Sequence, residues 1–391
     1  MKIVFVSNYL NHHQIPFSDE MYRLTNKNYF FIATEKMEEE RLAMGWKNDM
    51  EGVPYLMKTY ETPDKCLELI READVVIVGS APIEITKERI DTGKVLLKYS
   101  ERIYKDGLLK VLSPRGFFNM KSLFENWRNT NMYILCASAY LAGDFSIWGY
   151  FQNRMYKWGY FPQTYYQDIN KLMKQKKGKC EILWCSRFIK WKHPESVIKL
   201  AQHLKKKGID YHITMIGVGE EREGCLKEIN KKGLDKYISV CGPMAPQEVR
   251  KYMEKTRIFL MTSDYREGWG AVVNEAMNSG CAVVASHAIG AVPFLIKDNY
   301  NGCVYKNGRV KQLANIVEEL ILNPTKCQKL GENAYKTIIE EWNAENAAYR
   351  LKQLCEKILL HETFYVENGP CSIASPIKQW EMYKYIKRDN L

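Results

Sequence analysis

Two glutamates, Glu267 and Glu275, stand with seven residues between them in the run EGWGAVVNE. A carboxylate accepts hydrogen bonds, so it grips paired hydroxyls and not a phosphate. Between them, Gly268 and Gly270 let the backbone come close to a ligand, and the start of a helix offers open N–H groups and partial positive charge, which suit a phosphate. Two acids flanking such a place fit a molecule that carries sugar on either side of a phosphate. Two cations belong to the same chemistry. Arg187 supplies a rigid fork and Lys192 a point charge, and together they can neutralise a diphosphate. The plainer readings are a Glu-capped helix with solvated acids and an ordinary basic loop, in which Lys190 competes with Lys192.

These residues need elements to hold them. The apolar run IFLMTS (258–263) precedes the acids and reads as a buried strand. AVVNEAMNSG follows as a helix stopped by Gly280, and CAVVAS (281–286) is the next strand. The acids therefore sit at the carboxyl end of a strand, the edge where open α/β sheets bind ligands. Arg187 follows the strand EILWCS (181–186) at the same kind of edge. Strand exits also carry Gly217, in IGVGEERE, and Gly290, in HAIGAVPFL. The first of these lacks the dinucleotide fingerprint, because Arg222 stands where the third glycine belongs.

Strand-like runs at 2–7, 29–34, 74–80 and 133–138 alternate with charged, helix-like stretches, and a second alternating series begins at 181 with further strands at 212–217 and 237–242. Such alternation predicts parallel sheets covered by helices, once in each half. The organisation expected is an N-terminal Rossmann-like domain over 1–165, a polar linker over 166–179, a second Rossmann-like domain over 180–345 and a helical segment over 346–391 that packs back on the first. In that last segment Ala347, Leu351, Leu354 and Ile358 recur at helical spacing and mark a core-facing stripe.

The formal net charge of +11 suits an anionic ligand, an anionic membrane surface or nucleic acid, and the chain shows no recognisable nucleic-acid motif. Nucleic acid is therefore excluded as a partner. Eleven cysteines occur without a CxxC or a Cys/His ligand spacing, so they read as reduced, buried, small apolar residues of a cytoplasmic protein. The apolar runs are far short of the roughly 20 residues that span a bilayer, and the start lacks the pattern of a signal peptide. Attachment to the inner face of a membrane would then be peripheral and reversible.

The order of these motifs in the second half, with Arg and Lys after a first strand, GVG after another, EGWG before a helix and an Ala-Ile-Gly-Ala loop, resembles the retaining glycosyltransferases of family four. The likeness covers most of 180–345 and is looser before that. It implies an α/β fold of two Rossmann-like domains with parallel sheets facing across a cleft (GT-B). It implies that Glu267 contacts the donor sugar, that Glu275 contacts the nucleotide ribose, and that Arg187 and Lys192 hold the diphosphate. Gly268, Trp269, Gly270 and Ala271 would help through backbone N–H groups, with Gly217 and Gly290 at the donor as well. Two departures stand out. Many relatives have a glycine pair in the first strand-to-helix loop, where this chain has SNYLNHHQIP with Asn11, His12 and His13. Many have a Glu soon after the loop near 290, where this chain has AVPF.

The activity implied is transfer of a sugar from a nucleoside-diphosphate sugar, UDP-sugar favoured, to a hydroxyl of a saccharide, glycolipid or small molecule with retention. Acceptor candidates are Asn11, His12, His13, Ser80 and Arg115. The sequence has no Asp-x-Asp and no metal-ligand cluster, so neither metal nor cofactor is expected. Two other functions share the implied fold or charge: a sugar-nucleotide epimerase, which would isomerise its substrate without an acceptor, and a membrane-surface sugar-binding protein without turnover.

Overall fold

The structure is a computed structural model that describes residues 1–38, 52–105, 114, 118, 121, 127, 130–176, 178 and 180–377. The chain divides into two compact units. Each is an α/β layer built on a wholly parallel sheet, because apolar runs buried on both faces favour parallel strands under helices.

The first unit holds the described residues up to Gln163 together with 342–377. Its sheet has the order β3-β2-β1-β4-β5-β6-β7. The strands are β1 Ile3–Ser7, β2 Tyr29–Ala33, β3 Leu56–Lys58, β4 Val75–Val78, β5 Val95–Ser100, β6 Met132–Cys136 and β7 Met155–Lys157. β1 lies between β2 and β4, with Val6 level with Ile32 and with Val78. The helix Ala344–Leu359 packs on the helix Ile15–Leu24 of this unit, and the expected stripe Ala347, Leu351, Leu354 and Ile358 is buried. Residues 371–374 then run beside β7, with hydrogen bonds from Lys157 N to Ser372 O (2.7 Å) and from Ala374 N to Met155 O (2.9 Å).

The second unit holds the described residues 164–341. Its sheet has the order β10-β9-β8-β11-β12-β13. These strands are β8 Glu181–Cys185, β9 His212–Ile216, β10 Ile238–Cys241, β11 Ile258–Met261, β12 Ala282–Ser286 and β13 Cys303–Tyr305. A core of Trp184, Phe188, Leu200, Met215, Leu260, Val284 and Leu313 lies under its helices.

Residues 166–179, expected as a linker, are not a free connector where the structure describes them. They fold with the second unit as the helix Ile169–Gln175, with Leu172 and Met173 packed against Tyr335. Lys176 Nζ donates to the carbonyls of Met253 (2.8 Å) and Thr256 (2.6 Å). The basic run there hid this role, since a buried lysine and a solvated one read alike in sequence. Among the described residues no helix is long and apolar enough to cross a membrane, and the cysteines are unbridged.

Candidate active site

The carboxyl end of β8 leads through Ser186–Ile189 into the 3-10 turn Lys190–Lys192. His193 takes a left-handed conformation (φ 52°), and the helix Pro194–Lys206 follows. This places Arg187 and Lys192 around one ring. The Arg187 guanidinium carbon lies 5.8 Å and Lys192 Nζ 4.3 Å from the centroid of Trp191. Lys192 is buried and pairs with Glu267, whose side chain is also largely covered. Thr262 Oγ1, which accepts from Trp184 Nε1 at 2.8 Å, donates to Lys192 O at 2.5 Å. Asp264 N donates to Trp191 O at 3.0 Å. The loops after β8 and β11 are thus stitched together, and the cation and the acid meet because their backbones are fixed.

The glycines have separate duties. Gly217 (φ 143°) and Gly219 (φ 146°) bring the exit of β9 against the Arg187 loop. A Cβ on Gly217 would lie 2.0 Å from Ser186 O, and one on Gly219 would lie 2.3 Å from Phe188 O. Phe188 N donates to Val218 O at 2.7 Å across that contact. Gly270 (φ 88°) turns the chain into the helix Val272–Asn278, beside Met261 and Ile289. Gly290 N donates to Glu267 O at 3.3 Å and Ala291 N to Trp269 O at 3.1 Å, so the loop after β12 supports the acid's own backbone. The Trp269 indole is buried and donates to Asn274 Oδ1 at 2.9 Å. Gly268 is buried, and Ala271 is the residue that precedes the helix.

Glu275 sits in the first turn of that helix. Burial raises its carboxyl to about 7, with the Arg250 guanidinium acting in the opposite direction. Its charge also reaches Cys185 at the end of β8, where burial foremost and Glu275 next push the thiol up to about 12 while Lys192 pulls it down. Arg187, Lys192, Glu267 and Glu275 are therefore gathered at one edge of the second sheet.

Sequence reasoning passed over His287 and Tyr265. His287, fully buried just past β12, receives the N–H of Asn307 at Nδ1 (3.0 Å), so Nε2 carries the proton and donates to the Tyr265 hydroxyl at 2.7 Å. Burial draws this imidazole down to about 4, which keeps it neutral. The pair ties the exits of β12 and β13 to the loop that carries Glu267. No spacing in the sequence announces it, because the three contributing loops are distant in the chain.

In the first unit, Asn11 Oδ1 accepts from His13 N at 3.0 Å and Asn11 O accepts from Gln14 N at 2.8 Å. This turn delivers the helix Ile15–Leu24, whose N-cap is Gln14; His13 does not cap it. The rings of His12 and His13 lie 3.8 Å apart, and His13 meets Tyr160 edge-on at 6.2 Å. Ser80 is exposed at the exit of β4, the strand next to β1. Arg115 lies outside the described residues.

Residues 167–337 match the family profile described as glycosyl transferases group 1. The chain carries a glycosyl transferases group 1 domain. Among curated relatives, an uncharacterized glycosyltransferase of Methanocaldococcus jannaschii is 29% identical over 196 residues, covering 49% of this chain and 49% of its own length. The poly(ribitol-phosphate) alpha-N-acetylglucosaminyltransferase of Staphylococcus aureus is 29% identical over 164 residues, 41% of this chain and 32% of that protein. This chain spans half or less of the length of these curated relatives. Among solved structures, HepE from Anabaena in complex with UDP superposes with a TM-score of 0.68 at 16% identity, over 91% of this chain and all of that one. Sucrose-phosphate synthase from Thermosynechococcus elongatus gives 0.64 at 14%, over 93% and 100%. At such identities the likeness shows the fold alone, two Rossmann-like domains.

Proposed function

We propose that this group 1 chain is a retaining glycosyltransferase that moves a sugar from a nucleoside-diphosphate sugar, a UDP-sugar by preference, to a hydroxyl of a saccharide, glycolipid or small-molecule acceptor, without a metal. The observation that carries the reading is the cluster at the edge of the second sheet, with Arg187 and Lys192 sharing the Trp191 ring, Glu267 paired to Lys192, and Glu275 within electrostatic reach. The preference for UDP draws on HepE, whose structures hold UDP and UDP-glucose. Retention draws on the family resemblance of the motif order.

In this reading the ribose hydroxyls donate to Glu275 and a donor-sugar hydroxyl to Glu267. Lys192, already oriented by Glu267, and Arg187 take the diphosphate. The bond from the anomeric carbon to the phosphate oxygen breaks, and its electron pair passes to the departing diphosphate. The two cations hold that charge where it develops, an effect worth several kcal/mol in a partly dry site. The acceptor oxygen attacks the same face of the sugar, and its proton passes to the released phosphate oxygen. No step needs a resident cofactor.

Calorimetry with UDP, GDP and ADP, followed by donor turnover with and without EDTA, tests this. UDP should bind most tightly and turnover should persist in EDTA. Arg187→Ala should cut transfer on the order of 100-fold, the scale of losing one group aimed at developing charge. A panel without nucleotide binding, or a normal rate in Arg187→Ala, would end the proposal.

A further inference from the structure

Lys98 is the fourth residue of β5, level with Val78 of β4 and Ile134 of β6 in the middle of the first sheet. A lysine here interrupts an apolar run and takes an ammonium out of water, which is unfavourable unless the charge is matched. Its Nζ donates to the carbonyl oxygen of Gly79, 2.8 Å away, at the exit of β4. Among the described residues it has no carboxylate partner. The acids that follow on this side of the fold are engaged elsewhere. Glu101 accepts from Lys105 Nζ at 2.5 Å and from the Tyr160 hydroxyl at 3.1 Å. Asp144 accepts from Arg102 at 3.0 Å and from the backbone N–H groups of Ile103 (2.8 Å) and Tyr104 (3.3 Å). Loss of water draws the ammonium down to about 8, and no neighbouring acid restores it. An ammonium has three donors, and this one spends one of them on a neutral carbonyl.

The place matters as much as the missing partner. Gly79 and Lys98 lie towards the carboxyl edge of adjacent central strands, where open α/β sheets take ligands. Ser80 follows Gly79 directly and is exposed, so the same strand exit that holds the ammonium also carries a hydroxyl residue. Gly79 itself is held close: a Cβ there would lie 2.9 Å from Ser7 Oγ. The geometry points to a subsite at the exits of β4 and β5 in which Lys98 Nζ, with the Ser80 hydroxyl, receives a phosphate or carboxylate borne by the sugar acceptor. This rests on the reading of the chain as a glycosyltransferase and narrows it: the acceptor is an anionic saccharide or glycolipid, not a neutral one. In half-dry surroundings an ion pair is worth more than between solvated groups.

Pulse acetylation of the intact protein at pH 8, read by mass spectrometry at Lys98, tests the subsite directly, with UDP affinity measured on the same sample. Glucose 6-phosphate or glucuronate should slow acetylation of Lys98 about fivefold, as expected when an anion holds a lysine in its charged form, and glucose should not. Protection by only one of the two identifies the anion as phosphate or carboxylate. Equal protection by inorganic phosphate would reduce the place to a free-anion site and overturn the acceptor assignment. Protein that binds UDP yet shows no anion-specific protection would overturn the inference and spare the transferase reading. Protein that fails to bind UDP while Lys98 is still protected would do the reverse. In turnover, Lys98→Met should raise KM for a phosphorylated acceptor about tenfold relative to its unphosphorylated analogue, the scale of one weak ion pair, and Lys98→Arg should recover most of it. An equal change for both acceptors would mark the lysine as structural.

Discussion

Glu275 is held near its own midpoint at neutral pH, because burial raises its carboxyl to about 7 from an ordinary 4.5. A raised carboxyl favours the protonated form in the folded state. Folding is therefore unpenalised below about pH 4.5, and the cost grows as pH rises to 7 and then levels off. Glu275→Gln should accordingly melt higher than the parent at pH 8, by at most about 3 kcal/mol, and melt alike near pH 4.5. Thermal denaturation across that range checks it, and a parent that is the more stable at pH 8 would mean the carboxyl is ionised at no cost. Binding should run the other way. Ribose hydroxyls donate to the ionised carboxylate, so UDP affinity of the parent should rise between pH 6 and 8, and that rise should vanish in Glu275→Gln. A residue that weakens the fold and strengthens the ligand at the same pH is the pattern expected of a binding group.

Among the elements, the strand exits of the second unit hold the site through backbone contact, and glycine makes that contact possible. At Gly219 the φ of 146° and the Phe188 backbone atoms within 2.8 Å of a would-be Cβ leave no room for alanine. Gly219→Ala should lose about 3 kcal/mol of stability from strain and displaced backbone, and weaken UDP binding because the Arg187 loop moves with Phe188. Loss of stability with unchanged affinity would separate the turn from the site. Most of this framework is legible in sequence. β8 to β12 end within two residues of the positions that apolar runs predict, Arg187, Lys192 and Glu267 lie in the loops that follow strands, and Glu275 lies in the first turn of the next helix. What was hidden has physical causes. β3, β7 and β13 are three-residue strands, too short to show a pattern. β5 carries Lys98 in a run otherwise fit for a core, and its charge disguises the strand. The neutral His287, the hydroxyl it donates to and the N–H it accepts come from three loops, so only folding brings them together.

Over the whole chain, the first unit is assembled from two pieces, with residues 164–341 folded as a unit of their own between them. The returning helix Ala344–Leu359 is no accessory. Leu351 and Leu354 are fully buried and Ile358 nearly so, and the helix packs on Ile15–Leu24, which begins directly after the Asn11–Gln14 turn. Each such side chain is worth roughly 1.5–3 kcal/mol. Removing everything after 343 should therefore unfold the first unit or leave it molten, since total stabilities are only about 5–15 kcal/mol. Residues 164–341 alone should stay folded and bind UDP. Circular dichroism and calorimetry on the two truncations decide this, and a fully native first unit without the helix would overturn it.

That two-piece assembly sets a timetable for a chain made from one end. When Gln163 emerges from the ribosome, the helix that packs on Ile15–Leu24 is still about 180 residues from being synthesised. At the usual pace of translation the wait is about 10–40 s. The segment born second can settle first, while the helix Ile15–Leu24 waits without its later neighbour. A circularly permuted gene that begins at Trp342 would supply that neighbour early and shorten the wait.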